Sequence, residues 1–192
     1  MSIQKVITAP HPTLRQTAVP IEQGSPDVRR YVQSLADTIQ AQKEPAAAGL
    51  ALPQVDVLYR AFATYLYTFQ DEEPQVRVFL NPKIVDQADK HSIGPNPRDP
   101  DLEGCLSIPY LYGPVARPEW VTFEYQEMLP EGQLSEIKRE TFYDFAGRVM
   151  QHELDHLNGI LFTDYTLSQG QPLFRSEKKK LVEVDPIIAE AF

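Results

Sequence analysis

Seventeen prolines stand against nine glycines in a chain of 192 residues, and that excess is the strongest constraint on the fold. Proline fixes its own φ, donates no backbone hydrogen bond and pushes the preceding residue towards extended backbone. A chain punctuated in this way forms fixed loops and extended segments rather than a helical bundle. Pro10, Pro12 and Pro20 keep the opening stretch extended or looped. Two windows escape. Ser25-Pro26-Asp27 offers a hydroxyl N-cap, a proline at the first helical position and an early acid. Val28, Tyr31, Val32, Leu35 and Ile39 then recur at spacings of three and four, which predicts an amphipathic scaffold helix ending before Pro45. Asp144 is placed to cap a second helix running to about Asn158, where Asn158-Gly159 is a stop signal.

The remainder reads as strands and loops. Tyr59 to Phe69 is rich in aromatic and β-propensity residues, and Val76 to Leu80 is a short apolar run ending at Asn81-Pro82. Val121 to Tyr125 alternates apolar and polar residues, as a half-buried strand does. Asp86 to Leu102, with three prolines, a glycine and mixed charges, predicts a long surface loop. Strands with few helices and no β/α alternation make the fold class α+β.

Composition narrows the function. Lys and Arg number 18 against 27 Asp and Glu, a net charge of -9, which argues against general nucleic-acid binding through neutralised phosphates. Met1 to Leu14 lacks a secretory or transit pattern, and no apolar run is long enough to span a bilayer, so a soluble protein of the cytoplasm is expected. The single cysteine, Cys105, excludes an internal disulfide and leaves buried filler, nucleophile or metal ligand as its roles.

The chemistry concentrates in Gln151-His152-Glu153-Leu154-Asp155-His156. Residues four apart lie on one helix face, so His152 and His156 can present two imidazoles to one metal. Glu153 then stands where a general base would reach a water on that metal, the mechanical content of the H-E-x-x-H motif. A catalytic site of this kind needs a third protein ligand and one open position. His11, between two prolines, and His91, in the long loop, read as exposed loop residues. Cys105 in Glu103-Gly104-Cys105-Leu106-Ser107 is the better third ligand, because Gly104 lets the backbone turn and offer a thiolate beside a free N–H. Earlier, Gly49-Leu50-Ala51-Leu52-Pro53-Gln54 follows three alanines. Small residues there permit close approach of an extended peptide, and Gln54 could donate to an oxyanion; a small-residue loop feeding a strand accounts for the stretch equally well. Arg148, four before His152, pairs with Glu103, lines a substrate entry or sits on the surface; Asp155 points to another face, for packing or for supporting a ligand.

In this order the three stretches resemble the motifs of the peptide deformylases: a Gly-rich loop ending in Gln, E-G-C-x-S and Q-H-E-x-D-H. Asn81-Pro82, Arg117-Pro118, Arg148 and His156-Leu157-Asn158-Gly159 extend the resemblance to about Tyr165. It departs at Ala47, where the family has its first Gly, and at Leu52, where it has a second Ala, which predicts a stiffer loop and a narrower groove.

The resemblance implies mixed or antiparallel sheets around a central metal-binding helix, with one further helix near the N-terminus. It implies a catalytic domain over 1–165 and a C-terminal tail over 166–192, packed or partly disordered. The implied reaction removes the N-formyl group from formyl-methionine at the start of new polypeptides. Cys105, His152 and His156 would hold Fe2+, with Ni2+, Co2+ or Zn2+ as substitutes. Glu153 would be the general base, Gln54 and the Leu106 N–H the oxyanion donors, and Ala48, Gly49 and Arg148 substrate-binding. N-formylmethionyl peptides are the expected partners. The family allows a transient ribosome contact, for which residues after Tyr165 show no matching feature; the Lys178 to Lys180 run reads as a solvated patch. Two other readings compete: a zincin-like endopeptidase with Asp164 or Glu177 as third ligand, and a deformylase-like protein with altered substrate or lost turnover through Ala47 and Leu52.

Overall fold

In the computed structural model, residues 3–192 are described apart from 24–26, 44–45, 68–72, 97 and 179. In chain order the elements are α1 (Val28–Ala41), β1 (Gly49–Ala51), β2 (Ala61–Leu66), β3 (Gln75–Gln87), β4 (His91–Ser92), β5 (Leu102–Cys105), β6 (Ile108–Pro114), β7 (Arg117–Pro118), β8 (Trp120–Gln126), β9 (Lys138–Tyr143), α2 (Asp144–Leu157), α3 (Phe162–Ser168), β10 (Leu173–Glu177) and β11 (Lys180–Val184). Short 3-10 turns cover Pro12–Arg15, Leu52–Val55 and Pro186–Ala191. The class is α+β, as expected. Five strands pair in the order β1-β2-β3-β8-β9, four in the order β11-β10-β6-β5, and β4 pairs with β7. Every ladder between these strands is antiparallel.

The five-stranded sheet is covered on both faces. Because side chains alternate along a strand, Phe62 and Phe79 pack with Phe123, Phe142 and the α2 residues Met150, Leu154 and Leu157. Their neighbours Ala61, Ala63 and Leu80 pack instead with Val28, Leu35 and Ile39 of α1. α2 is thereby fixed against β1, β2, β8 and β9. The four-stranded sheet carries the third apolar cluster, in which Ile108, Leu111 and Val115 meet Leu161, Phe162 and Leu173, with Cys105 at its margin. No helix among the described residues is long and apolar enough to cross a membrane.

Several local expectations need correction. β3 does not end at Asn81-Pro82 but runs through it, since the ladder skips from Leu80–Gln126 to Lys83–Glu124 and the bulge leaves Pro82 without a donor to supply. Asn81 holds the irregularity, with φ +50 and its side chain bonded to both backbone groups of Ile21. The expected loop from Asp86 is therefore shorter, and His91 lies in β4, paired with Pro118. Asp144 is not the cap of α2: Tyr143 occupies the cap position and Asp144 is the first helical residue, with φ +48. For α1 the cap position is Asp27, and the Ser25-Pro26 start signal lies outside the described residues. The segment beyond 165 begins inside α3 and continues into β10, which pairs with β6 and β11.

Candidate metal and active site

Three parts of the fold converge. α2 supplies His152, Glu153 and His156; the end of β5 supplies Cys105; the turn after β1 supplies Gln54. Among the described residues, Cys105, His152 and His156 form the group able to hold a metal ion, their ligand atoms all within 4.8 Å of one another. Cys105 Sγ lies 3.2 Å from His156 Nε2, and the two imidazoles cross at 79°. This donor set fits a divalent cation with thiolate and imidazole ligands. Asp164, the candidate third ligand of the endopeptidase reading, is instead paired with Arg15. His11 caps the Pro12–Arg15 turn and His91 is exposed on its strand.

The electrostatics suit that set. Burial alone would raise the Cys105 thiol, yet His156 and His152 hold it well below its ordinary value, as a thiolate. Burial works against a charged His152, and Cys105 and Glu103 overcome it, raising the imidazole well above its usual range. A cation held by these three residues would supply the charge that this proton otherwise brings. Glu153 is fully enclosed, and burial pushes its carboxyl up to about 7 against the pull of both histidines. Its Oε2 is buried without a hydrogen-bond partner. An unpartnered buried carboxylate oxygen is costly, so here it marks a place meant for a proton or a water.

The first motif reaches the same space. Gln54 accepts from the Ala51 N–H at 2.8 Å, and this turns its amide nitrogen towards Cys105 Sγ at 3.4 Å and Ser107 Oγ at 3.3 Å. Gly49 is required by close approach: a Cβ there would stand 2.2 Å from Glu153 Oε1. A cavity of about 1160 Å³ opens over these groups, and Ala48, Gly49, Gln54, Leu106, Arg148 and Glu153 all line it. Ala47 also lines it, whereas Leu52 is fully buried in the α1-facing cluster and is not among the lining residues, so Leu52 does not narrow the groove.

A buried charge cluster surrounds His152. Glu103 Oε2 is 3.1 Å from His152 Nδ1 and accepts from Arg117 Nη2 at 2.8 Å. Against the cost of burial, Arg117 and His152 keep the Glu103 carboxyl at about 2. Arg117 also donates to Asp155 at 2.9 Å. Arg148 donates to Val115 O at 2.9 Å and to Ser92 O, and reaches Glu103 at 3.4 Å, so its head is occupied by partners within the protein. Arg117 is the chief partner of Glu103, a role that no spacing in the sequence signals, because the two stand 14 positions apart with strand and turn between them.

The chain matches the polypeptide deformylase family over residues 3–171. A peptide deformylase of Rhizobium meliloti is 36% identical over 165 residues, covering 86% of each chain. One of Thermomicrobium roseum is 38% identical over 167 residues, covering 85% of this chain and 86% of the relative. Among solved structures, the Met-Ala-Ser-bound class I type b peptide deformylase of Acinetobacter baumannii superposes with a TM-score of 0.70 at 28% identity, over 86% of this chain and 99% of that one.

Proposed function

The chain belongs to the peptide deformylase family, and we propose that Cys105, His152 and His156 hold its metal while Glu153 is the general base. It is a metal-dependent hydrolase that removes N-formyl groups from peptides. The substrates we assign are N-formylmethionyl ends of newly made polypeptides, met in the cytoplasm, where acting on emerging chains would bring transient ribosome contact. The observation that supports the residue assignment is the meeting of three ligand atoms with a buried carboxylate whose outer oxygen is unpartnered. When bound, a divalent cation supplies Lewis acidity, acidifying a water and drawing charge from the formyl oxygen. The thiolate–imidazole set suits soft and borderline ions; we assign Fe2+ as the native one, with Ni2+, Co2+ or Zn2+ able to replace it.

In this reading Glu153 takes the proton of the attacking water at its free oxygen, then gives it to the leaving nitrogen as the C–N bond breaks. The Gln54 amide, fixed by Ala51, and the Leu106 N–H, beside Cys105, donate to the oxyanion. Gly49 lets substrate backbone lie close to the base, and Ala48 with Arg148 forms the wall for the first side chain. The catalytic unit we assign is 1–165, with 166–192 as a packed C-terminal addition.

The test is formate release from a formyl-methionyl tripeptide by protein loaded with Fe2+ under anaerobic conditions, or with Ni2+, beside Glu153→Ala. Release by the parent, falling at least about 100-fold in the variant while metal stays bound, is expected. The activity should rise with pH along an acid limb centred below 7, because a cation draws Glu153 down from the value that burial gives it. No release at full metal occupancy would refute the reading.

A further inference from the structure

Two side chains of α3 reach His152 by separate routes, and neither lines the cavity. The Phe162 ring is buried and lies against the His152 imidazole, centroids 6.3 Å apart and planes 26° from parallel. The second route has four links. Tyr165 Oη donates to Asp155 Oδ1 at 3.1 Å. Asp155 Oδ2 accepts from Arg117 Nη1 at 2.9 Å. Arg117 Nη2 donates to Glu103 Oε2 at 2.8 Å, and that oxygen is 3.1 Å from His152 Nδ1. The Arg117 guanidinium also lies over the Tyr165 ring, 5.2 Å from its centroid. Side chains between the two ends are buried, with Arg117 4% and Glu103 10% exposed, so water does not loosen the chain.

An imidazole ligand has one soft rotation, and turning it would carry its ligating nitrogen away from the atoms of Cys105 and His156 that would share the metal. The Phe162 stack limits the plane of the ring, and the Glu103 carboxylate selects Nδ1 as the nitrogen that carries the proton. Glu103 can do so only while Arg117 holds it in place. Arg117 is in turn gripped on its far side by Asp155, whose other oxygen is held by the Tyr165 hydroxyl. We propose that Tyr165 is a positioning residue for His152, acting through Asp155, Arg117 and Glu103, with Phe162 supporting the same ring from the side. The inference rests on the reading that Cys105, His152 and His156 hold a divalent cation.

Tyr165→Phe keeps the ring beneath Arg117 and removes only the hydroxyl. Co2+-loaded full-length protein is challenged with excess chelator, and release is followed by the visible absorption of the bound cobalt. Outer partners that touch a ligand directly typically cost 10- to 100-fold in metal affinity, so this more distant link should speed release roughly 3- to 10-fold and shift the cobalt bands. Arg117→Lys should move both readouts further in the same direction, and Tyr67→Phe, at an exposed site, should move neither. Release within about twofold of the parent, or a lower melting temperature of the metal-free protein with the cobalt spectrum unchanged, would overturn the positioning role. A parent that takes up no Co2+ would overturn the metal reading together with this inference.

Discussion

The position of Glu153, the general base we propose, depends on what is missing at Gly49. The Glu153 side chain lies so close over the Gly49 backbone that a methyl group on Gly49 would overlap it, with Glu153 Oε1, Cδ and Cγ 2.2 to 2.6 Å from the added atom. The clash falls on the end of a movable side chain, so Gly49→Ala should fold nearly as stably as the parent and displace the base instead. A misplacement of about 1 Å can cost on the order of 100-fold in rate. The expected result is a kcat lower by about that factor, an unchanged metal content and a melting temperature close to the parent's; an unchanged kcat would show that the base does not depend on this contact. The roles proposed for Glu153, His152 and His156 were legible in the sequence because a helix repeats every 3.6 residues and puts such residues on adjoining faces. The partner of Glu103 was not legible. Arg117 meets it across two sheets, since β7 pairs with β4 and β5 with β6, and such a contact leaves no local pattern in sequence.

At the scale of elements, α2 is the rigid mount of the site, and its end is built with care. Gly159 has φ +72 and its N–H reaches His156 O at 3.4 Å, while the Ile160 N–H reaches Asp155 O at 3.0 Å, the paired closure of a Schellman motif. Arg60 adds a cation at the same terminus, donating to Asn158 Oδ1 at 3.0 Å and to Leu157 O at 3.4 Å. A side chain at Gly159 would be strained by its left-handed backbone, and its Cβ would meet the Arg15 backbone at 2.7 Å. Unlike Gly49, nothing flexible can give way here. Gly159→Ala should therefore lose at least about 1–2 kcal/mol of stability, measured by urea unfolding, with metal retained by the folded fraction; a loss below about 0.5 kcal/mol would contradict the packing described. The stop at Asn158-Gly159 could be read from residue types alone, since only glycine takes this conformation freely. Asn81-Pro82 misled for the complementary reason: the pair signals a turn in isolation, and the bulge that admits it to β3 is set by β8 and by Ile21.

For the whole molecule, the site depends on the sheet that carries Cys105, and that sheet is completed by the last part of the chain. β10 pairs with β6, and Leu173 is fully buried among Leu111, Leu161 and Phe162 in the cluster on which Cys105 borders. Leu173→Ala should cost about 2–5 kcal/mol in urea unfolding, as deletions from tight cores do, and should weaken metal retention by loosening the Cys105 side of the site. Wild-type stability in that variant would mean that 166–192 adds nothing to the catalytic unit. The sequence by itself determined the class of the fold and the two long helices, and it pointed to the three stretches that meet at the candidate site, because helix periodicity, turn residues and ligand types are local properties. Only the tertiary structure decided that β3 passes through its proline, that Leu52 faces the core, that Arg117 rather than Arg148 is the main partner of Glu103, and that α3 stands behind His152. Each of these depends on a contact between segments distant in the chain, and side-chain packing and buried charge are settled only when those segments meet.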